Sequence, residues 1–226
     1  MEVYLDGIGD VRLINLMGSD ATAINSARVS FNRDQWEGFE DEPLDEKDEK
    51  LLSFLIKSGH TSVHEHSVLT FRITCPLYIS KQIMRHRTFS YNEISRRYTS
   101  KDLEFFVPHH FRKQSDKNLQ CSTEEGVEDQ IEAFTVYEQS IKEMQKAYER
   151  LLSIGVCREQ ARGVLPNCTY TSFYMTGNLN NWIRFLKLRL DEHAQEEVRV
   201  IAQEIERVIT DYFPQTMKYM RLHGIV

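Results

Sequence analysis

The sequence predicts an α+β fold: a small, mostly antiparallel sheet with long helices, closed into a single domain over its 226 residues. Three observations carry this reading. Val68, Thr70, Arg72 and Thr74 alternate with Leu69, Phe71 and Ile73, the two-residue period of a strand with a buried face. Between about residues 127 and 154, Ile131, Phe134, Tyr137, Ile141, Met144, Tyr148, Leu151 and Leu152 recur at helical spacing. Strands and helices then alternate irregularly, and no glycine-rich loop joins a strand to a helix, which disfavours a doubly wound nucleotide fold. The length suits one sizeable core and is short for two, and neither a repeat nor a linker is visible.

In chain order, residues 2–6 and 11–16, set around Gly7 and Gly9, read as short strands or one strand with a turn. Ser19 or Asp20 caps a short helix reaching Ala27. The stretch 32–50 is dominated by Asp, Glu and Lys, with Trp36, Gly38 and Pro43, and reads as an exposed acidic loop leading into a helix near Leu44. Leu51, Leu52, Leu55 and Ile56 keep helical spacing, and Gly59 is a natural stop. Pro76 closes the strand over 68–74. A helix over 77–84 follows and sets Gln82 and Arg85 on one face, after which the chain continues as a loop. Residues 103–107 read as a second strand and 109–126 as polar and irregular. Gly155 ends the long helix, 158–165 is a short helix stopped by Pro166, and 169–176 is a strand rich in Tyr, Thr and Phe. Residues 177–181 form a turn and helix cap. Helical spacing returns over 181–190 and 191–212, where Val198, Ile201, Ile205 and Val208 make a core face.

Composition narrows the function. A formal net charge of −6 argues against general nucleic-acid binding, which usually leaves a basic domain. No apolar run approaches the ~20 residues that span a bilayer, and the N-terminus lacks the basic-then-apolar pattern of a signal peptide. Cys75, Cys121, Cys157 and Cys168 show neither C-x-x-C spacing nor a close histidine, the pattern of reduced thiols in a cytoplasmic protein. Cys157 or Cys168 as a nucleophile is the less favoured alternative.

Chemistry concentrates in residues 85–98. Arg85, Arg87, Arg96 and Arg97 stand there with His86, Glu93, Ser90, Ser95, Tyr91 and Tyr98, and no lysine. Guanidinium grips phosphate or carboxylate bidentately, so this bias suits a small anionic ligand carrying a ring; the bland alternative is a solvated basic turn. His60, His64, Glu65 and His66 form a second cluster, either metal ligands or a polar rim. Two further alternatives stay open on the residues: a metal-dependent phosphohydrolase using His60, His64, His66 and His86, and a nucleotide- or RNA-binding module built on residues 85–97. Arg189 and His193 lie four apart, on one face if their helix is continuous.

Arg85-His86-Arg87, then seven residues, then Ser95, with Ser90, Asn92, Glu93, Arg97 and Tyr98, resembles the hallmark of flavin-dependent thymidylate synthases. Gly59, His60, Glu65 and His66, the Glu159–Pro166 stretch around Arg162, and Leu188-Arg189-Leu190-Asp191-Glu192-His193-Ala194-Gln195 are similar to that family as well, so the resemblance runs from Ala27 to the Arg189 helix. It implies conversion of dUMP to dTMP, with methylenetetrahydrofolate as one-carbon donor and NADPH or NADH as reductant through FAD. It implies no cysteine nucleophile, no metal, no nucleic-acid or membrane partner, and a homotetramer whose active sites are shared between subunits. By the same resemblance Arg189 is the catalytic residue, and Gln82, Arg85, Glu93, Ser95, Arg96, Arg97, Arg162 and Arg189 bind dUMP. Ser30, His60, Ser62, Glu65, Arg85, His86, Arg87, Glu93, Asn178, Asn180, Arg184 and His193 are expected at FAD. The chain departs from the family at Asn180, where an arginine is usual, and at Arg184, where an asparagine is usual. The acidic loop and the segment 115–126 look particular to this chain.

Overall fold

The computed structural model describes residues 1–4, 6–30, 44–98 and 103–226. Most of the acidic loop, with Trp36, lies outside the described residues. The described chain is α+β: a four-stranded antiparallel sheet, eight helices and a separate two-stranded hairpin.

Strand β1 (Asp10–Met17) is the first edge of the sheet. Before it, Glu2 meets Asp10 in a single bridge and Gly7 turns the chain at φ +75°, so residues 2–4 fold back beside β1 and do not form a strand. Helix α1 (Asp20–Val29) begins at Ser19, with a capping box to Thr22. Helix α2 (Glu46–Lys57) begins at Asp45, whose carboxylate accepts the amides of Lys47 and Asp48 at 2.8 Å. A 3-10 turn (Thr61–Glu65) leads into the central strand β2 (Val68–Pro76), and α3 (Leu77–Ile83) follows directly. Strand β3 (Ser90–Glu93) is the far edge: the arginine-rich segment, expected to continue as a loop, is in part a strand paired with β6 (Tyr170–Asn178).

Residues 103–107 make one bridge, Phe105 to Thr169, and not a strand, because Pro108 supplies no donor for the next pair. Residues 109–126, expected to be irregular, hold the hairpin β4 (Arg112–Gln114) and β5 (Ser122–Gly126). Its residues are polar on both faces, so no alternation announces it. Helix α4 (Gln130–Ser153) matches the periodic stretch, and the short helix α5 (Arg158–Ala161) passes into a 3-10 turn (Arg162–Val164). Strand β6 runs straight into α6 (Leu179–Arg189), with Asn178 as the cap: its Oδ1 accepts the Asn181 amide at 2.9 Å.

Helix α7 (Glu196–Tyr212) does not start at Asp191 as expected. Asp191 Oδ1 accepts the His193 amide at 2.8 Å, and this local bond draws the backbone out of the helix. Arg189 and His193 therefore do not share a continuous helix face. Helix α8 (Pro214–Leu222), which the periodicity left unassigned, is capped at long range: Asp20 accepts the Gln215 and Thr216 amides at 2.8 and 2.9 Å.

The sheet order is β1–β2–β6–β3. Leu69, Phe71, Ile73 and Cys75 of β2, with Phe173 and Met175 of β6, form its buried face, and Trp182, Phe185, Ile201, Ile205 and Ile209 of α6 and α7 belong to the same core. The alternating residues pair on the other face, Thr70 with Thr176 at 2.9 Å and Thr74 with Ser172 at 3.1 Å. Among the described residues no helix is long and apolar enough to cross a membrane.

Candidate active site

Local packing fixes the loop after α3. Phe89 is buried and stands edge-on to Trp182, ring centroids 4.7 Å apart. It occupies the space a side chain at Gly177 would need: a Cβ there would collide with the Phe89 ring, so β6 requires a glycine opposite it. The Tyr91 hydroxyl lies 2.8 Å from the His86 carbonyl and 3.2 Å from that of Ile83, and the Asn181 amide donates to the Thr88 carbonyl at 3.0 Å. With its backbone held, the loop leaves Arg85 and Arg87 exposed.

Arg189, the last residue of α6, meets this loop. Its Nε–H donates to His86 Nε2 at 3.0 Å, and a terminal nitrogen donates to the Gln82 carbonyl at 3.3 Å. Arginine only donates, so His86 Nε2 carries no proton. Burial first, and then the Arg189 charge, push the His86 pKa down to about 4, which keeps the imidazole neutral at pH 7. Its ring stands edge-on to Phe185 at 5.0 Å. The Gln82 side chain in turn donates to Gln195 Oε1. Burial, followed by the charge of Arg85, lowers the Arg189 pKa. Among the described residues neither Arg85 nor Arg189 has a carboxylate within ion-pair distance. Two cations held close without a counter-ion repel until an anion binds between them.

A second group surrounds the start of β6. Glu93, Arg96 and Arg162 line a cavity of about 140 Å³ with Ile94, Leu165 and Thr171. Glu93 Oε1 accepts the Thr171 hydroxyl at 2.8 Å, and Arg96 donates to the Tyr170 carbonyl at 3.3 Å. Ser95 Oγ accepts the Arg97 amide at 3.3 Å, while the Arg97 guanidinium faces Glu159 at 3.5 Å in the open.

The remaining expected residues do not gather into one pocket. Ser30, His60, Ser62, Glu65, Arg184 and His193 are exposed: Ser30 at the end of α1, His60, Ser62 and Glu65 along the 3-10 turn, Arg184 on α6 and His193 in the turn before α7. Asn180 is buried and donates to Glu65 Oε1 at 3.2 Å, while the His193 ring stands 3.0 Å from Asp191. Among the described residues neither ring nitrogen of the buried His64 has a partner, His86 is engaged by Arg189, and no group of histidines or carboxylates that could hold a metal forms, so the four histidines of the phosphohydrolase alternative do not converge. Gln195, Thr171 and Phe89 are the functional neighbours that sequence reasoning gave no role. Gln195 and Phe89 fall within recognisable motifs, whereas Thr171 carries no local signal.

Residues 12–215 match the family model described as thymidylate synthase complementing protein. The chain is 38% identical over 219 residues to the flavin-dependent thymidylate synthase of Thermosipho africanus, covering 96% of this chain and 93% of that protein. It is 39% identical over 206 residues to the protein of the same name from Thermus thermophilus, covering 91% and 73%. Among solved structures it resembles a UMP/dUMP methylase, PolB from Streptomyces cacaoi bound with 5-Br dUMP, with a TM-score of 0.85 at 30% identity over 96% of this chain and 97% of that one. Fold, arginine constellation and likeness agree, and the chain belongs to the flavin-dependent thymidylate synthase family.

Proposed function

We propose that the site around Arg189 converts dUMP to dTMP by reductive methylation, with methylenetetrahydrofolate as one-carbon donor and NADPH as reductant through FAD. The observation that carries this reading is the half-buried Arg189, set beside Arg85 without a counter-ion among the described residues and fixed by His86 and Gln82. The Streptomyces cacaoi neighbour is named a UMP/dUMP methylase, and dUMP offers the two groups such a site takes: a phosphate and an ionisable imide.

Arg189 stands against the uracil ring. Its charge favours loss of the imide proton at N3 by Coulomb attraction, which strengthens as water is excluded. The resulting anion enriches C5, the carbon to be methylated. Because the His86 ring and the Gln82 carbonyl both accept from Arg189, the guanidinium plane is set before substrate arrives. Gln82 and Arg85 orient dUMP, Ser95, Arg96, Arg97 and Arg162 take its phosphate, and Glu93, held by Thr171, accepts from the nucleoside.

The donor set also fits a flavin dinucleotide: Arg85 and Arg87 are exposed cations beside the neutral His86, suited to a diphosphate. Ser30, His60, Ser62, Glu65, Glu93, Asn178, Arg184 and His193 complete the FAD surface, with Asn180 acting through Glu65. When bound, FAD supplies hydride chemistry that no side chain can. These residues are spread over an open surface, so we assign the missing walls to neighbouring subunits of a homotetramer, each the whole chain as one domain and working in the cytoplasm.

Purified protein is expected to carry a yellow flavin spectrum that shifts on adding dUMP, and to form dTMP only with dUMP, methylenetetrahydrofolate and NADPH together. No dTMP from flavin-saturated protein under those conditions overturns the reading.

A further inference from the structure

The β4–β5 hairpin takes no part in the site above, yet it holds the turn that follows Arg189. We propose that Arg112 is a positioning residue: it clamps the start of α7 and the preceding turn, and so orients Arg189 toward the uracil ring. This rests on the role given to Arg189 above.

Arg112 is 16% exposed, and its guanidinium forks between two carboxylates, one nitrogen to Glu196 and the other to Glu197 at 2.9 and 3.1 Å. The planar fork can satisfy both at once, which a lysine cannot. Glu196 and Glu197 open α7, where the helix dipole favours them, but as neighbours they repel, and Arg112 relieves that repulsion. The hairpin makes a second tether where the Cys121 thiol donates to the His193 carbonyl at 3.4 Å. Gln195 lies between the two tethers. Its side chain receives Gln82, and the Gln82 carbonyl receives Arg189. Residues 191–193, between Arg189 and Gln195, are exposed and gain little from packing, so the hairpin tethers, with Arg199 on the Glu192 carbonyl at 2.9 Å and the Tyr4 hydroxyl on that of Glu197 at 2.8 Å, fix where Gln195 sits. A chain of contacts thus links Arg112 to the guanidinium on the ring without Arg112 touching substrate.

The test uses the flavin-containing protein and the variants Arg112→Ala, Arg112→Lys, Gln195→Ala and the Arg112→Ala/Gln195→Ala double. Arg112→Ala is expected to lower kcat about 10-fold, as for a small misplacement of a catalytic group, with KM for dUMP within about twofold. Arg112→Lys recovers part of the loss. The double variant is expected to be no slower than Gln195→Ala alone, since both changes cut one path. Hydrogen exchange of amides 190–196 is expected to quicken in Arg112→Ala. Wild-type kcat in Arg112→Ala, losses that multiply in the double, or unchanged exchange at 190–196 each overturn the clamp. Should Arg112→Ala fail to fold by circular dichroism, Glu196→Gln/Glu197→Gln removes the same contact from the other side and is read by the same outcomes. A wild type that forms no dTMP sinks the functional reading alone, because the exchange measurement still decides the clamp.

Discussion

The Nε–H of Arg189 donates to Nε2 of His86 at 3.0 Å, joining the last residue of α6 to the loop after α3. This bond makes His86 an acceptor, and burial, followed by the Arg189 charge, keeps the ring neutral, so the pocket holds its positive charge on arginines alone. A protonated His86 would offer Arg189 a like charge and no lone pair.

Arg189→Ala is therefore expected to leave the fold intact, because this half-buried side chain fills no core and the one α3 carbonyl it meets, that of Gln82, also accepts the Arg85 amide. Turnover is expected to fall by about 10²–10³, the range for losing one preorganised electrostatic group. Steady-state dTMP formation with a thermal melt alongside checks both halves. Turnover near that of wild type sinks the assignment.

Gly177→Ala tests the packing beneath the arginine loop. A methyl group there meets the Phe89 ring, which is itself wedged against Trp182, so ring or strand must shift. The expected cost is about 1–3 kcal/mol of stability, as for overpacking, together with a fall in kcat as the 85–88 backbone loosens. Urea unfolding and dTMP formation measure the two, and a variant unchanged in both shows that Phe89 does not brace the site.

Much of this architecture was legible because burial is one-sided. Strand β2 buries one face, and helix α4 carries one apolar stripe of which Ile141 and Tyr148 are buried, which imprints periods of two and 3.6 on the sequence. The arginine signature was legible for another reason: its spacing is local. Where neither condition holds, the sequence stayed silent. The β4–β5 hairpin has polar residues on both faces, and the break before α7 comes from the Asp191 side chain competing for a backbone amide. The Gln82–Gln195 contact joins residues 113 positions apart, and only the packing of α3 beside α7 creates it. The Asn180 departure acquires its meaning in the same way, through the buried approach to Glu65.

Arg97→Ala separates substrate binding from stability. Arg97 and Glu159 pair at 3.5 Å with side chains 51% and 63% exposed, and solvent leaves such a pair worth at most about 1 kcal/mol. The melting temperature is expected to stay put. The dissociation constant for dUMP is expected to rise about tenfold, as for loss of one charge-assisted phosphate contact, with flavin content unchanged. Calorimetric titration of dUMP into the variant decides it, and equal affinity in variant and wild type removes Arg97 from the phosphate site.

His64 makes stability depend on pH. It is 2% exposed, neither ring nitrogen has a partner among the described residues, and burial alone pushes its pKa from 6.5 down to about 4. As pH falls below 6.5 the unfolded chain takes up a proton that the folded chain refuses. Stability is thus fully present above 6.5 and drains away between 6.5 and 4. The loss is on the order of 2–3 kcal/mol at about 1.4 kcal/mol per unit, and His86, displaced in the same direction but half-buried, adds less. His64→Leu removes the titrating group from an apolar site at similar volume. It is expected to flatten the decline between pH 7 and pH 5 and to cost little at pH 7, where the buried imidazole has no bond to lose. Urea midpoints for both proteins at the two pH values measure this, and an equal decline in wild type and variant assigns the acid sensitivity elsewhere.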